Sequence, residues 1–295
     1  MVKPKLFMGL SAVGILVTSM LFAGREVAEV KAGLINDFLG LSTQKVDKVE
    51  SDLVEGSAYA DENGNLTDEG WNQMITDSYK FCEEAVEQGS VLIKNDNNCL
   101  PLKANERKVT LFGTGSKNLL MRSGAGGAAP NPELVVNLGP AFENNGFQIN
   151  RTVYNKLKTW GSQDLTKPST QVEEGTSIYT NDVKATFDDY NDAAIITFVR
   201  IGTENTDPSA GNLDLRQNEK DLLKMVKDSG KFDKIIVLIN SPLAMSMDWI
   251  EDEQYGIDAA IFMGVPGYYG AGGIPHLLAG VDKEGNDATN AVTYI

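Results

Sequence analysis

Glu204 is the side chain with the most chemistry within its reach. It stands in Arg200-Ile-Gly-Thr-Glu204-Asn-Thr-Asp207, a polar run that follows the uncharged, β-branched stretch 193–199. A carboxyl group on a loop beyond a buried strand can lean over a neighbouring pocket, and partial desolvation there raises its pKa enough to let it donate a proton. Spacing alone leaves a plainer alternative open for Glu204 and Asp207, that of solvated loop charges. A second candidate is rich in glycine: Gly113-Thr-Gly115-Ser-Lys117 follows the apolar stretch 109–112, and Arg122-Ser-Gly-Ala-Gly-Gly-Ala-Ala129 comes soon after. Neither nucleotide signature fits, because the third glycine of G-x-G-x-x-G would fall on Asn118 and a GxxxxGK[ST] loop is missing. These glycines either permit positive φ in a tight turn or form a flap whose backbone approaches a ligand, with Arg122 as a hydrogen-bond donor.

The other reactive side chains exclude more than they offer. His276 is the only histidine, so a multi-histidine zinc site is ruled out and any Ser/His/Asp or Cys/His mechanism would have to use that one ring. Its setting, Gly-Ile-Pro-His-Leu-Leu-Ala-Gly, reads as a helix start, which suggests a surface or capping role. Cys82 and Cys99 lack CxxC spacing; one bridge between them stays open, and two unpaired thiols are the simpler reading because Cys82 falls in a helical run. No metal site and no cofactor are expected. The 295 residues carry 26 Lys plus Arg against 41 Asp plus Glu, a net charge of −15. That excess disfavours nucleic-acid partners, whose affinity rests on cationic side chains displacing counterions, and suits a neutral or cationic small substrate.

The elements that must position these residues follow from hydrophobic periodicity. Thr67-Asp68-Glu69-Gly70 can cap a helix, and Trp71, Met74, Ile75, Tyr79, Cys82, Ala85 and Val86 recur at helical spacing up to Gly89. Short apolar runs at 90–93, 109–112, 193–199, 235–239 and 259–263 read as buried strands. Amphipathic stretches lie between them, notably 217–227 and 132–144. Strands alternating with helices predict an α/β fold, a three-layer α/β/α sandwich with a mostly parallel sheet. Ligands of such sheets sit beyond the carboxyl ends of the strands, where the two candidate segments fall.

The N-terminus reads differently. Lys3 and Lys5 precede Leu6 through Gly24, which carry no charge, a span close to the ~20 residues needed to cross a bilayer as a helix. The reading is an N-terminal hydrophobic helix serving as a signal-anchor over 1–25, a polar stalk or packing arm over 26–68, and the sandwich over 69–295. The lysines would hold the N-terminus in the cytoplasm, giving a single-pass protein of the cell membrane with its globular domain extracellular; a secreted protein is the alternative.

The run Glu84-Ala-Val-Glu-Gln-Gly-Ser-Val-Leu-Ile-Lys-Asn-Asp-Asn-Asn-Cys-Leu-Pro-Leu102 resembles the opening of the α/β sandwich domain of family 3 glycoside hydrolases, the β-glucosidase and β-xylosidase family. The resemblance continues through 109–127, through Arg200-x-Gly-x-Glu204-x-x-Asp207 with Leu213-Asp-Leu215, and through Phe232-Asp-Lys-Ile-Ile-Val-Leu-Ile-Asn-Ser241. It covers roughly 71–295 and looks like the subgroup in which the sandwich precedes the catalytic (β/α)8 barrel. It implies retaining hydrolysis of a β-linked oligosaccharide or glycoside by two carboxyl groups about 5–5.5 Å apart. The family places an aspartate nucleophile on the barrel and the acid/base glutamate on the sandwich, at the position matching Glu204. It also implies that Arg122, Ser123, Gly124, Gly126 and Gly127, with Asp207, contact the sugar.

The sequence departs from the family pattern in three ways. Gly126-Gly-Ala128 replaces the usual Gly-Ser-Gly, and Val281-Asp-Lys-Glu-Gly285 replaces a Pro-Ser-Gly-Arg or Lys motif. A barrel takes about 250 residues, which this sequence does not have room for. The expectation is therefore a sandwich that contributes the acid/base and a sugar-covering loop and is inactive without a barrel in cis or trans. The alternative is a membrane-tethered, non-catalytic carbohydrate-binding or assembly module.

Overall fold

The computed structural model describes residues 4–32, 58–61, 65–121, 136–159, 175–202, 213–282, 285, 287–288 and 292–293, and the chain divides into two units, Met1–Ala58 and Tyr59–Ile295. In the first unit helix α1 spans Pro4–Val30, and its large apolar side chains that are described, among them Ile15 and Leu21, are exposed. Among the described residues no helix is long and apolar enough to cross a membrane. The expected hydrophobic anchor is therefore not supported.

The second unit opens with helix α2, Asp68–Gly89. Thr67 caps it as its sequence suggests: the Thr67 hydroxyl accepts from the Gly70 N–H at 2.9 Å, and Asp68 and Glu69 complement the positive end of the helix dipole. At the other end, the Ser90 N–H and hydroxyl both donate to the Val86 carbonyl, at 3.0 and 2.6 Å, and the chain enters a strand at once.

The strands are β1 (Val91–Asn95), β2 (Lys108–Phe112), β3 (Gln148–Ile149), β4 (Ala193–Val199), β5 (Ile235–Asn240), β6 (Ala259–Phe262) and β7 (Val292–Thr293). Among the described residues they form one sheet in the order β3-β2-β4-β5-β6-β1-β7. The pairs β2–β3, β2–β4, β4–β5 and β5–β6 are parallel, whereas β1 runs antiparallel to β6, with Val91 opposite Phe262. The sheet is thus mixed. An apolar run does not encode strand direction; with only Ser90 between α2 and β1, the strand starts where the helix leaves it, beside the carboxyl end of β6.

Helices cover both faces because the buried strands alternate with period two. Val109, Leu111, Ile195, Ile236, Leu238 and Ile261 point into one cluster with Val86 of α2, Phe142 of α3 (Leu138–Asn144), and Ile274 and Leu278 of α7 (Gly273–Ala279). Phe112, Ile196, Phe198, Val237 and Ile239 point into the other, with Val153 of α4 (Arg151–Lys156), Val183 of α5 (Asn181–Ala185), and Leu222, Leu223 and Val226 of α6 (Gln217–Ser229). Full burial of each such side chain is worth roughly 1.5–3 kcal/mol. The helix expected over 132–144 begins at Leu138 among the described residues. The Val136 N–H donates to the Tyr268 carbonyl at 3.1 Å, which ties this segment to a loop; 132–135 lie outside the described residues.

Strand order fixes where a ligand can sit. The chain goes from β2 outward to β3 and then returns past β2 to lay down β4. The connections therefore leave β2 and β4 in opposite senses, and a crevice opens outside their carboxyl ends at such a switch point.

Candidate functional site

The segments that follow β2 and β4 both root at this crevice. The two strands are in register with Phe112 opposite Ile196, so the chain leaves their ends side by side.

The root of the β4 segment is Arg200. Its side chain is 1% exposed although it follows seven residues without a charge. A buried guanidinium needs compensation, and Glu219 supplies it: Nη1 donates to Oε1 and Nη2 to Oε2, each at 2.7 Å. Nη1 also donates to the Val199 carbonyl and Nη2 to the Asp214 carbonyl, both at 2.9 Å. Glu219 sits in the first turn of α6, where its Oε2 accepts from the Arg216 N–H at 2.8 Å. One buried ion pair thus joins the start of the segment at 200 to its far end at 214–219. Gly202 packs on the far side, where an added Cβ would come within 2.6 Å of the Leu243 side chain.

The root of the β2 segment is built from glycine and neutral polar groups. Gly113 has φ of 83° and its Cβ would lie 2.6 Å from the Thr197 carbonyl oxygen; a Cβ on Gly115 would meet the same atom at 2.6 Å. These two glycines let the turn lie against β4. The Ser116 hydroxyl bonds the Phe112 carbonyl at 2.6 Å and Thr197 Oγ1 at 3.0 Å. Lys117 Nζ donates to the Leu157 carbonyl at 2.9 Å, and Asn118 Nδ2 donates to the Lys158 carbonyl at 2.8 Å. The side chains that a nucleotide loop would turn toward phosphate are here directed at the end of α4, so the glycines serve packing. Further on, the Asn240 carboxamide at the end of β5 accepts from the Leu120 N–H at 2.6 Å and donates to the Leu120 and Gly264 carbonyls at 3.1 and 2.7 Å. That side chain fixes the chain two residues before Arg122.

The residues singled out from sequence, Arg122, Ser123, Gly124, Gly126, Gly127, Glu204 and Asp207, all lie outside the described residues. What is described is the anchoring on either side of them. Sequence reading passed over the groups that do this anchoring. Glu219 was legible as an acidic residue in the first turn of a predicted helix, and Arg200 as a cation directly after a wholly apolar run, which can only be buried with a partner.

His276 corrects its sequence reading. It is buried in α7 and is neither a surface nor a capping residue: Nδ1 lies 2.6 Å from Glu87 Oε1 and Nε2 lies 2.7 Å from Asn145 Oδ1. Glycine brings it there, since a Cβ on Gly273 would be 2.4 Å from the Glu83 carbonyl oxygen; α7 can approach α2 only without one. With both ring nitrogens engaged, His276 joins α2 to the end of α3. Cys82 and Cys99 are free thiols. Burial, with the Asp258 carboxylate adding to it, pushes Cys99 up to about 11, far from a reactive thiolate. Among the described residues no group of three His, Cys, Asp or Glu could hold a metal ion.

Known proteins share this fold. No curated protein matches the chain. Among solved structures, a β-glucosidase from Paenibacillus barengoltzii is 26% identical with a TM-score of 0.60, over 68% of this chain and 23% of that one. β-Glucosidase 3B from Thermotoga neapolitana is 22% identical with a TM-score of 0.54, over 71% of this chain and 29% of that one. A family 3 exo-β-xylosidase is 21% identical with a TM-score of 0.53, over 76% and 26%. The latter two likenesses establish the fold, and the match takes in between 23% and 29% of these three proteins' length. Residues 90–284 match the family described as the glycosyl hydrolase family 3 C-terminal domain, and the chain belongs to that family.

Proposed function

We propose that this domain supplies the acid/base wall of a divided β-glycosidase site. In this reading Glu204 protonates the departing glycosidic oxygen and then takes a proton from the water that releases the sugar. The segment from Arg122 to Gly127, with Asp207, covers the sugar, and the nucleophilic carboxylate comes from a (β/α)8 barrel in cis or in trans. The observation that carries the reading is the switch point between β2 and β4, which roots both segments at one crevice. Membership of the family supports it, as does the 26% identity to a β-glucosidase most of whose length lies outside the match.

The test is complementation. A family 3 barrel added to the purified chain should give hydrolysis of an aryl β-glucoside that Glu204→Gln abolishes. Turnover of the mixture that is unchanged by Glu204→Gln would remove the acid/base assignment. Calorimetric binding of a β-glucoside that ignores Glu204→Ala, with no turnover in any mixture, would instead favour a non-catalytic carbohydrate-binding module.

A further inference from the structure

We propose that His276 is held as the imidazolium and that its contact with Glu87 is a pH-operated latch joining α2, α3 and α7, closed at neutral pH and released on alkalinisation. The inference is independent of the reading of Glu204.

Three observations carry it. First, hydrogen-bond directions call for a proton on each ring nitrogen. Asn145 Nδ2 donates to the Ala141 carbonyl at 2.9 Å, which turns the amide oxygen toward the ring, so Nε2, 2.7 Å from Oδ1, must donate. Nδ1 lies 2.6 Å from Glu87 Oε1, and without a proton that contact sets lone pair against lone pair. A neutral imidazole has one N–H to give, whereas the imidazolium has two. Second, the pair is nearly dry. The His276 and Glu87 side chains are 5% and 9% exposed, so little solvent reaches them to compensate for a missing bond. Third, the carbonyl ends of three helices meet at this ring. Glu87 stands in the last turn of α2, Asn145 directly follows α3, and His276 is in the last turn of α7, while neither α2 nor α3 has a basic residue in its own last turn. The imidazolium supplies the cation that such ends favour.

The other titratable groups that the neighbouring elements bring to this place are already engaged or neutral. From α2, the Glu83 carboxylate lies against Gly272, Glu84 is exposed and accepts from Gln88, and burial pushes the Cys82 thiol up. From α3, Glu143 is bound by Arg151. The turn Gly270–Gly272 and the segment 100–102 bring no charge.

Loss of the proton on Nδ1 would leave its lone pair facing a buried carboxylate and open the joint between α2 and α7. The sign follows from linkage. An unfolded chain releases an imidazole proton near the ordinary value of about pH 6.5. A folded chain that keeps it has the full benefit below that pH and loses it as pH rises through the folded-state value.

Because His276 is the only histidine, isotope-labelled histidine in the untagged full chain gives a single imidazole spectrum by NMR. At about pH 8, where a free imidazole is neutral, both ring nitrogens should carry a proton. A ring with one proton there would overturn the proposal. Urea unfolding then reads the linkage. Between about pH 7 and the pH at which the ring deprotonates, the folding equilibrium constant of the unsubstituted chain should fall about tenfold per pH unit relative to that of Glu87→Gln. In that variant the glutamine amide can donate to Nδ1, so the ring should be neutral, with its proton on Nε2, and the joint should stay closed without a titrating group. Stability curves that run parallel for the two chains would equally sink the latch. If Glu87→Gln does not fold, the ring spectrum of the unsubstituted chain decides alone.

Discussion

Two anchors stand side by side at the carboxyl rim and solve one problem by different means. Asn240 holds the root of the β2 segment with a neutral carboxamide whose three hydrogen bonds all go to backbone groups. Arg200 and Glu219 hold the roots of the β4 segment with full charges, both nearly inaccessible to solvent. A neutral amide that meets its partners is inexpensive to bury. A charged pair is tolerable only while both members are present, because either alone is an uncompensated ion. The described residues on either side of 203–212, Arg200 and Asp214 through Glu219, are thus joined by the interaction that is harder to weaken gradually: it is intact or it is lost.

That contrast gives a ranked set of expectations. Arg200→Met alone, or Glu219→Leu alone, should lower unfolding stability in urea by about 3–5 kcal/mol, while the two together should recover most of that loss and fall short of the starting value by the backbone groups at 199, 214 and 216 that lose their partner. A double variant as unstable as the sum of the singles would show that the charges do not act as a pair. Asn240→Ala leaves the Leu120 and Gly264 backbone groups without their partner and should cost about 2–3 kcal/mol; a loss as large as that of Arg200→Met would erase the distinction between the anchors.

Gly113→Ala tests the glycine part of the same rim. Its positive φ and the Thr197 carbonyl at 2.6 Å should together cost about 2 kcal/mol, read from the same denaturation curves. Thr67→Ala, remote from the rim, should cost about 1 kcal/mol through the lost cap and serves as the reference for a local change.

The smallest effect is expected at the opposite end of the sheet, where Lys234 Nζ bonds Glu106 just ahead of β5 and β2. Burial pushes the Glu106 carboxyl up, but hydrogen bonds from Lys234 and the Lys103 N–H outweigh it and hold the carboxyl below its ordinary range. A depressed folded-state pKa stabilises above the unfolded value and stops doing so as pH falls through the folded one. Lys234→Met should therefore reduce the loss of stability on acidification below about pH 4.5 and leave the rim anchors untouched. Unchanged acid dependence would show that this ion pair contributes nothing measurable.

How much of this was legible in sequence depends on what each residue reports. The strand at 193–199 and the helix starting beyond Thr67 could be read to the residue, because an unbroken β-branched run and a capping hydroxyl before acidic residues are local signals. β3 and β7 have two residues each, too few to show any period. The antiparallel entry of β1 depends on where α2 delivers the chain, which no run of apolar residues encodes. His276 looked like a surface residue because its partners, Glu87 and Asn145, are 189 and 131 positions away in sequence. For the site, the sequence pointed to the segments and the family, while the anchors emerged only once the fold had brought Arg200 to Glu219 and Asn240 to Leu120.

The central claim is that the proton-donating side of a β-glycosidase site is here and the nucleophile is on another folded unit. Its most direct test is the purified chain alone with an aryl β-glucoside. The account predicts no hydrolysis above the uncatalysed rate from either the unsubstituted chain or Glu204→Gln; hydrolysis by the unsubstituted chain that disappears in Glu204→Gln would contradict it, because both carboxylates would then have to lie within this one polypeptide.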